Sequence, residues 1–238
     1  VTRFAEAGNK QIYLVINRVG LFYFNAGTGA VSRPDDPVLR RQASVIALSY
    51  HTKTNTIWIA SEGDHFFHRF KPLANGNLQY VSTTYLQEPA ELYSITDFHE
   101  DATGTMWIGT ANGVFTYDLQ GRSQLISNQV RFINDIKHDQ RGRIWIGTEK
   151  DGLYLLEKKG KSWSQQKITL KIDSFESLSV QSILCQQSGL VYIATKEGGV
   201  YVYNPDKNLA EEISNTYGIS EEGLLDILED NQGNIWLT

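Results

Sequence analysis

Asp101-Ala102-Thr103-Gly104-Thr105-Met106-Trp107-Ile108-Gly109-Thr110 and Asp139-Gln140-Arg141-Gly142-Arg143-Ile144-Trp145-Ile146-Gly147-Thr148 are two copies of one ten-residue pattern. The pattern is Asp-x-x-Gly-x-apolar-Trp-Ile-Gly-Thr. Weaker copies end at Trp58 in Ile57-Trp58-Ile59-Ala60-Ser61, Tyr192 in Val191-Tyr192-Ile193-Ala194-Thr195, and Trp236 in Ile235-Trp236-Leu237-Thr238. Ile12-Tyr13-Leu14 is a faint first copy. The anchoring rings fall at 13, 58, 107, 145, 192 and 236, with gaps of 45, 49, 38, 47 and 44 residues.

Two further motifs keep step with the anchors. After them come Gly20-Leu21-Phe22-Tyr23-Phe24, Gly113-Val114-Phe115-Thr116-Tyr117, Gly152-Leu153-Tyr154-Leu155-Leu156 and Gly199-Val200-Tyr201-Val202-Tyr203. His65-Phe66-Phe67-His68-Arg69-Phe70 takes this place in the second copy. Before the anchors, the positions twelve and nine residues upstream hold Ile46 and Ser49, Ile95 and Phe98, Ile133 and Ile136, Val180 and Ile183, and Leu224 and Ile227. Each unit therefore has three short apolar segments bounded by turn residues, and a weaker fourth such as Leu78-Gln79-Tyr80-Val81 or Ser162-Trp163-Ser164-Gln165. Four short strands every 40–50 residues predict an all-β fold, a β-propeller of four-stranded antiparallel blades. Helix-pair repeats would need apolar spacing of period 3.6, which is absent. The expected blades are 1–42, 43–91, 92–128, 129–176, 177–221 and 222–238, the last cut inside its second strand. About five and a half blades are thus expected here. An open ring would expose sheet edges, so the sequence reads as a piece of a longer polypeptide.

The repeat carries its own physics. Asp101, Asp139 and Asp230 accept hydrogen bonds inside their own turns. Gly104, Gly142, Gly189 and Gly233, three before each anchor, take positive φ at little cost. The rings of Trp107, Trp145, Tyr192 and Trp236 pack between blades, and the small residue two positions on, at Ala60, Gly109, Gly147 and Ala194, leaves room for a bulky neighbour.

Composition narrows the function. With 22 Lys+Arg against 27 Asp+Glu the net charge is −5, spread along the chain, so no nucleic-acid partner is expected. No apolar run of membrane-spanning length occurs. Val-Thr-Arg-Phe is neither an initiator nor a signal peptide, and reads as a cropped or processed start. Cys185 is the only cysteine, which excludes an internal disulfide and a thiolate-pair zinc site.

The motifs D-x-x-G-x-[IL]-W-[IVL]-G-T and G-[LV]-[FY]-x-[YF] resemble the two-component-regulator propeller repeat, best at 97–118 and 135–156 and again from Leu225 to Thr238. The resemblance covers nearly the whole chain, strongly in three repeats, and weakly at Tyr13 and Trp58. It implies the periplasmic, extracytoplasmic sensor region of a hybrid two-component system, with about seven blades in the intact propeller. Further blades, a β-sandwich, a membrane helix and a histidine kinase would follow on the same polypeptide. It implies an oligosaccharide ligand, a homodimer, no cofactor and no catalysis by this domain.

In such a fold the loops between strands two and three share one rim with the loops between blades. The ligand-binding candidates on that rim are Arg18, Arg41, Glu62, His65, Tyr93, Asn112, Arg131, Lys150, Lys196 and Tyr217, joined by Arg40. Arginine offers paired donors to carboxylates or sulfates, and aromatic rings stack on sugars. Solvated polar loops are the plainer reading of each residue. A second acidic column, Asp97, Asp135 and Asp226 with Ser182 in its place once, is expected to bond backbone groups between blades rather than to line a channel. His51, His65, His68, His99 and His138 are scattered, and His65 and His68 fall on opposite strand faces, so neither a metal site nor a catalytic set is expected. Glu88 and Glu91 read as a solvated loop. The competing functions are a propeller enzyme of the streptogramin-lyase or lactonase type, whose acids would have to come from Glu62, Asp64, His65 and Glu149, and a protein-interaction propeller.

Overall fold

A computed structural model describes residues 3–16, 19–42, 44–86, 94–170, 172, 175–197, 199–219 and 223–238. Its strands form five four-stranded antiparallel sheets and one two-stranded sheet, each a meander in which chain neighbours pair. The first blade is β1 (Arg3–Ala7), β2 (Gln11–Ile16), β3 (Gly20–Asn25) and β4 (Val31–Ser32). The second is β5 (Val45–His51), β6 (Thr56–Ser61), β7 (Phe66–Pro72) and β8 (Leu78–Tyr85); the third is β9 (Ile95–Glu100), β10 (Met106–Thr110), β11 (Gly113–Tyr117) and β12 (Ser123–Ser127). The fourth is β13 (Ile133–His138), β14 (Ile144–Thr148), β15 (Leu153–Lys159) and β16 (Ser162–Lys167). The fifth is β17 (Val180–Cys185), β18 (Val191–Thr195), β19 (Val200–Asn204) and β20 (Leu209–Glu212), followed by a helical turn, α1 (Ser214–Tyr217). β21 (Ile227–Glu229) and β22 (Ile235–Leu237) make the sixth sheet. The fold is all-β, and its sheets are propeller blades.

The chain divides into two compact units, residues 1–127 and 128–238. In the first, β1, β5 and β9 pack successively; in the second, β13, β17 and β21 do so. The central strands are sealed on both faces. Every residue of β6, β10 and β14 is buried, because both faces of a blade meet a neighbour. Side chains alternate across β6: Ile57 and Ile59 join a core with Tyr13 and Val15 of the first blade, while Trp58 and Ala60 join one with Phe98 and Ile108 of the third. Trp58 lies over Phe67 at 4.4 Å and meets Tyr117 edge-on at 5.3 Å. In the second unit Trp145 meets Tyr203 of the next blade edge-on at 5.9 Å.

The small residue after the anchor is required where expected. A Cβ on Gly147 would run into the Val180 side chain of the following blade. The outer strands end the burial pattern: β12 and β20 carry no fully buried residue. Among the described residues no helix is long and apolar enough to cross a membrane.

Candidate functional site

The two ends of the blades are built by different chemistry. At one end, each Asp-x-x-Gly turn closes on its own aspartate. Asp139 Oδ1 accepts the backbone N–H groups of Arg141 (2.9 Å) and Arg143 (3.1 Å). Its Oδ2 takes Arg143 Nε at 2.6 Å and the Trp145 indole N–H at 3.1 Å. Asp101 repeats this on Trp107 at 2.9 Å, and Asp230 on Trp236 at 2.9 Å. Gly104, Gly142 and Gly233 sit at φ of +85°, +71° and +83°. The Asn234 amide and the Trp236 indole hold the Asp230 carboxyl well below the usual carboxylate range. These carboxylates are fully engaged by their own turns, which makes this end scaffold.

The opposite end is the rim. Here the residue after the second strand donates its N–H to the carbonyl just before the first strand: Glu62 to Ser44 (2.8 Å), Ala111 to Ser94 (2.9 Å), Glu149 to Phe132 (2.8 Å) and Lys196 to Ser179 (2.9 Å). The buried threonine that ends the anchor motif ties the same loop to the third strand. Thr110, Thr148 and Thr195 donate to the carbonyls of Gly113, Gly152 and Gly199 at 2.7, 2.9 and 3.0 Å. The second to fifth blades thus each present the loop between strands two and three beside their own leading loop.

Arg41, Glu62, Arg131, Lys150, Lys196 and Tyr217 are exposed on these loops, and His65 and Asn112 are half-buried there. Arg18 and Tyr93 lie outside the described residues. Glu62 accepts a hydrogen bond from Ser44 at 3.4 Å, and Arg131 Nε reaches the Asn128 carbonyl at 3.5 Å. The His65 ring stands 5.7 Å from Phe66 and 5.8 Å from Tyr85. Arg40 is paired with Asp35.

In the second unit the second acidic column works between blades. Asp135 accepts the Ile183 backbone N–H at 2.6 Å and pairs with Lys137. Ser182 donates to Asp226 at 2.7 Å and accepts the Ile227 N–H at 3.3 Å. A carboxylate or hydroxyl aimed at the next blade's backbone satisfies groups that burial would otherwise strand.

Among the described residues, cavities open between these elements. One, of about 350 Å³, lies between the first two blades and is lined by Val19, Gly20, Leu21, Arg33, Pro34, Asp35, Leu39, Arg40, Gln42 and Val45. Its floor is fixed: Gln42 bonds His68 at 2.9 Å and accepts from Ser61 at 2.5 Å, and His68 bonds Thr83 at 2.8 Å. Burial lowers the His68 pKa. Another cavity, about 480 Å³ and apolar, is lined by Tyr192, Val200, Val202, Ile213, Tyr217, Ile219, Ile235 and Leu237. The sequence signal for the first cavity is Arg33-Pro34-Asp35-Asp36, which stands outside the repeat and so does not stand out in a repeat-based reading.

No group of three or more His, Cys, Asp or Glu side chains among the described residues is placed to hold a metal ion. Burial pushes the Cys185 thiol up to about 12, so it is no nucleophile near neutral pH.

The family model described as the two component regulator propeller matches residues 92–112 and 124–150. No curated protein matches the sequence. Among solved structures, the extracellular domain of BT4673 from B. thetaiotaomicron, described as a hybrid two component system, superposes with a TM-score of 0.77 at 20% identity, over 100% of this chain and 31% of that one. The extracellular domain of BT3049 from the same organism gives 0.55 at 18% identity, over 99% and 37%. Virginiamycin B lyase from Staphylococcus aureus gives 0.75 at 10% identity, over 99% and 76%. At these identities the likeness is one of fold. The chain spans about a third of the length of the B. thetaiotaomicron chains it matches. The chain is thus a β-propeller of which residues 92–112 and 124–150 match the two component regulator propeller repeat.

Proposed function

We propose that this propeller is part of the extracytoplasmic, periplasmic sensing region of a hybrid two-component system, and that its rim receives an oligosaccharide. The observation that carries the reading is the match of the regulator repeat to residues 92–112 and 124–150. Likeness of fold alone would serve a lyase equally well, because fold does not fix function. The rim supports a binding role: its variable polar and aromatic residues sit on a constant hydrogen-bonded frame. Binding would be relayed to a histidine kinase elsewhere on the polypeptide, with a homodimer as the signalling unit.

The test is titration calorimetry of the protein against a panel of neutral and acidic oligosaccharides, with product analysis on the same samples. Saturable binding, no new products and indifference to a chelator are the expected result. Turnover that a chelator abolishes would overturn the reading in favour of a propeller lyase or lactonase.

A further inference from the structure

The cavity between the first two blades is asymmetric in charge. Asp35 is taken by Arg40, whose Nε and Nη2 lie 2.8 and 2.5 Å from Asp35 Oδ1. Asp36 is buried and spends its carboxylate on the Val38 and Tyr80 backbone N–H groups at 2.8 and 3.2 Å. That leaves Arg33. Its guanidinium is seated on the Phe22 ring, 4.9 Å from the centroid, and one Nη2 proton goes to the Val19 carbonyl at 3.2 Å. Among the described residues Arg33 pairs with no carboxylate. A guanidinium carries five N–H donors in a planar fork, and most of those on Arg33 remain for a ligand.

The lining also carries apolar side chains, Leu21, Leu39 and Val45, of which Leu39 and Val45 are buried. A volume of about 350 Å³ lies in the range of small-molecule sites. Gln42, with both ends of its amide held by His68 and Ser61, gives the cavity a rigid floor.

We infer that this cavity is an anion subsite for one acidic sugar unit, its carboxylate or sulfate on Arg33 and the C–H face of its ring on Leu21 and Leu39. The inference rests on the reading that the rim receives a saccharide, and it names the class: a uronic acid or a sulfated sugar rather than a neutral one. Bidentate recognition of a planar or trigonal oxyanion is what arginine does better than lysine. Holding the guanidinium in advance, on a ring and a carbonyl, lowers the ordering cost of binding.

The probes are glucuronate, glucose 6-sulfate and glucose, titrated into the whole chain by NMR and calorimetry. Glucuronate or glucose 6-sulfate is expected to bind and to shift resonances of Leu21, Leu39 and Arg33, and glucose to bind at least tenfold more weakly. Arg33→Gln, at an exposed position, should keep the melting temperature and weaken the acidic ligand tenfold or more. Arg33→Lys should recover only part of that. The stronger of the two acidic probes tells carboxylate from sulfate. Absence of binding by both anions, or affinity unchanged in Arg33→Gln, overturns the inference. If neutral oligosaccharides from the panel still bind in that case, the sensing reading stands without it.

Discussion

Each blade's anchoring ring carries one polar atom, and its fate differs from blade to blade. Trp107, Trp145 and Trp236 give their indole N–H to the aspartate six residues before. Trp58 has Thr52 at that position and uses Thr56 instead, at 3.0 Å, in a chain that runs through Thr54 to His51. His51 Nε2 then donates to the Gly104 carbonyl at 3.0 Å, a tautomer fixed by this network. Tyr13 has Ala7 there, and its hydroxyl is buried with no partner among the described residues; burial, with Tyr23 beside it, raises its pKa. The two cases lead to opposite outcomes. Tyr13→Phe removes an unsatisfied hydroxyl, so the denaturation midpoint should hold or rise, by up to about 1 kcal/mol. A loss above that size would show an unseen partner. Asp139→Ala strands four donors, two of them on Arg143, and should cost about 3 kcal/mol in urea unfolding.

Among elements, the informative contact is strand against strand across a blade boundary. Gly147 on β14 faces Val180 on β17, and the fit leaves no room for a methyl group. Gly147→Ala should therefore cost about 1–3 kcal/mol, and Val180→Ala in the same chain should return part of it. Additive losses in the double variant would mean that the two residues do not meet. β7 supplies a second test. His68 there is buried at 6% exposure between Gln42 and Thr83, with its folded pKa below the ordinary 6.5. Such a group is neutral in the fold and takes up its proton more readily when unfolded. Its contribution is therefore full above pH 6.5 and falls as pH drops from there toward the folded value. Stability measured between pH 8 and 5 should decline more steeply in the parent than in His68→Gln; equal slopes would remove His68 from the balance.

For the molecule as a whole, stability is a sum of blade terms and neighbour terms, as in other repeat proteins. Amide protection should follow: slowest exchange in β10, β14 and β18, each paired on both sides, and fastest in β21 and β22. Uniform protection measured by mass spectrometry would contradict this. The same arithmetic explains what the sequence made legible. Repetition amplifies whatever every blade must do, so the Asp turn, the anchoring ring and the small residue at Gly147 are all readable from spacing. The rim frame is readable only in its motif threonine; its other bonds are backbone ones such as Lys196 N–H to the Ser179 carbonyl, which leave no residue signature. The Arg33 cavity belongs to one blade boundary only, and no period points to it.

Three of the anchoring tryptophans, Trp58, Trp107 and Trp145, are at most 1% exposed, while Trp236 is 59% exposed on β22. Trp163, the fifth, is half-buried. A water-soluble quencher will therefore reach Trp236 ahead of its buried counterparts, and the red edge of the emission belongs largely to it. Anything that comes to rest on β22, whether a further strand or another molecule, will shift that edge to the blue while the buried indoles stay as they are. Trp236 is thus an optical reporter for whatever meets β22.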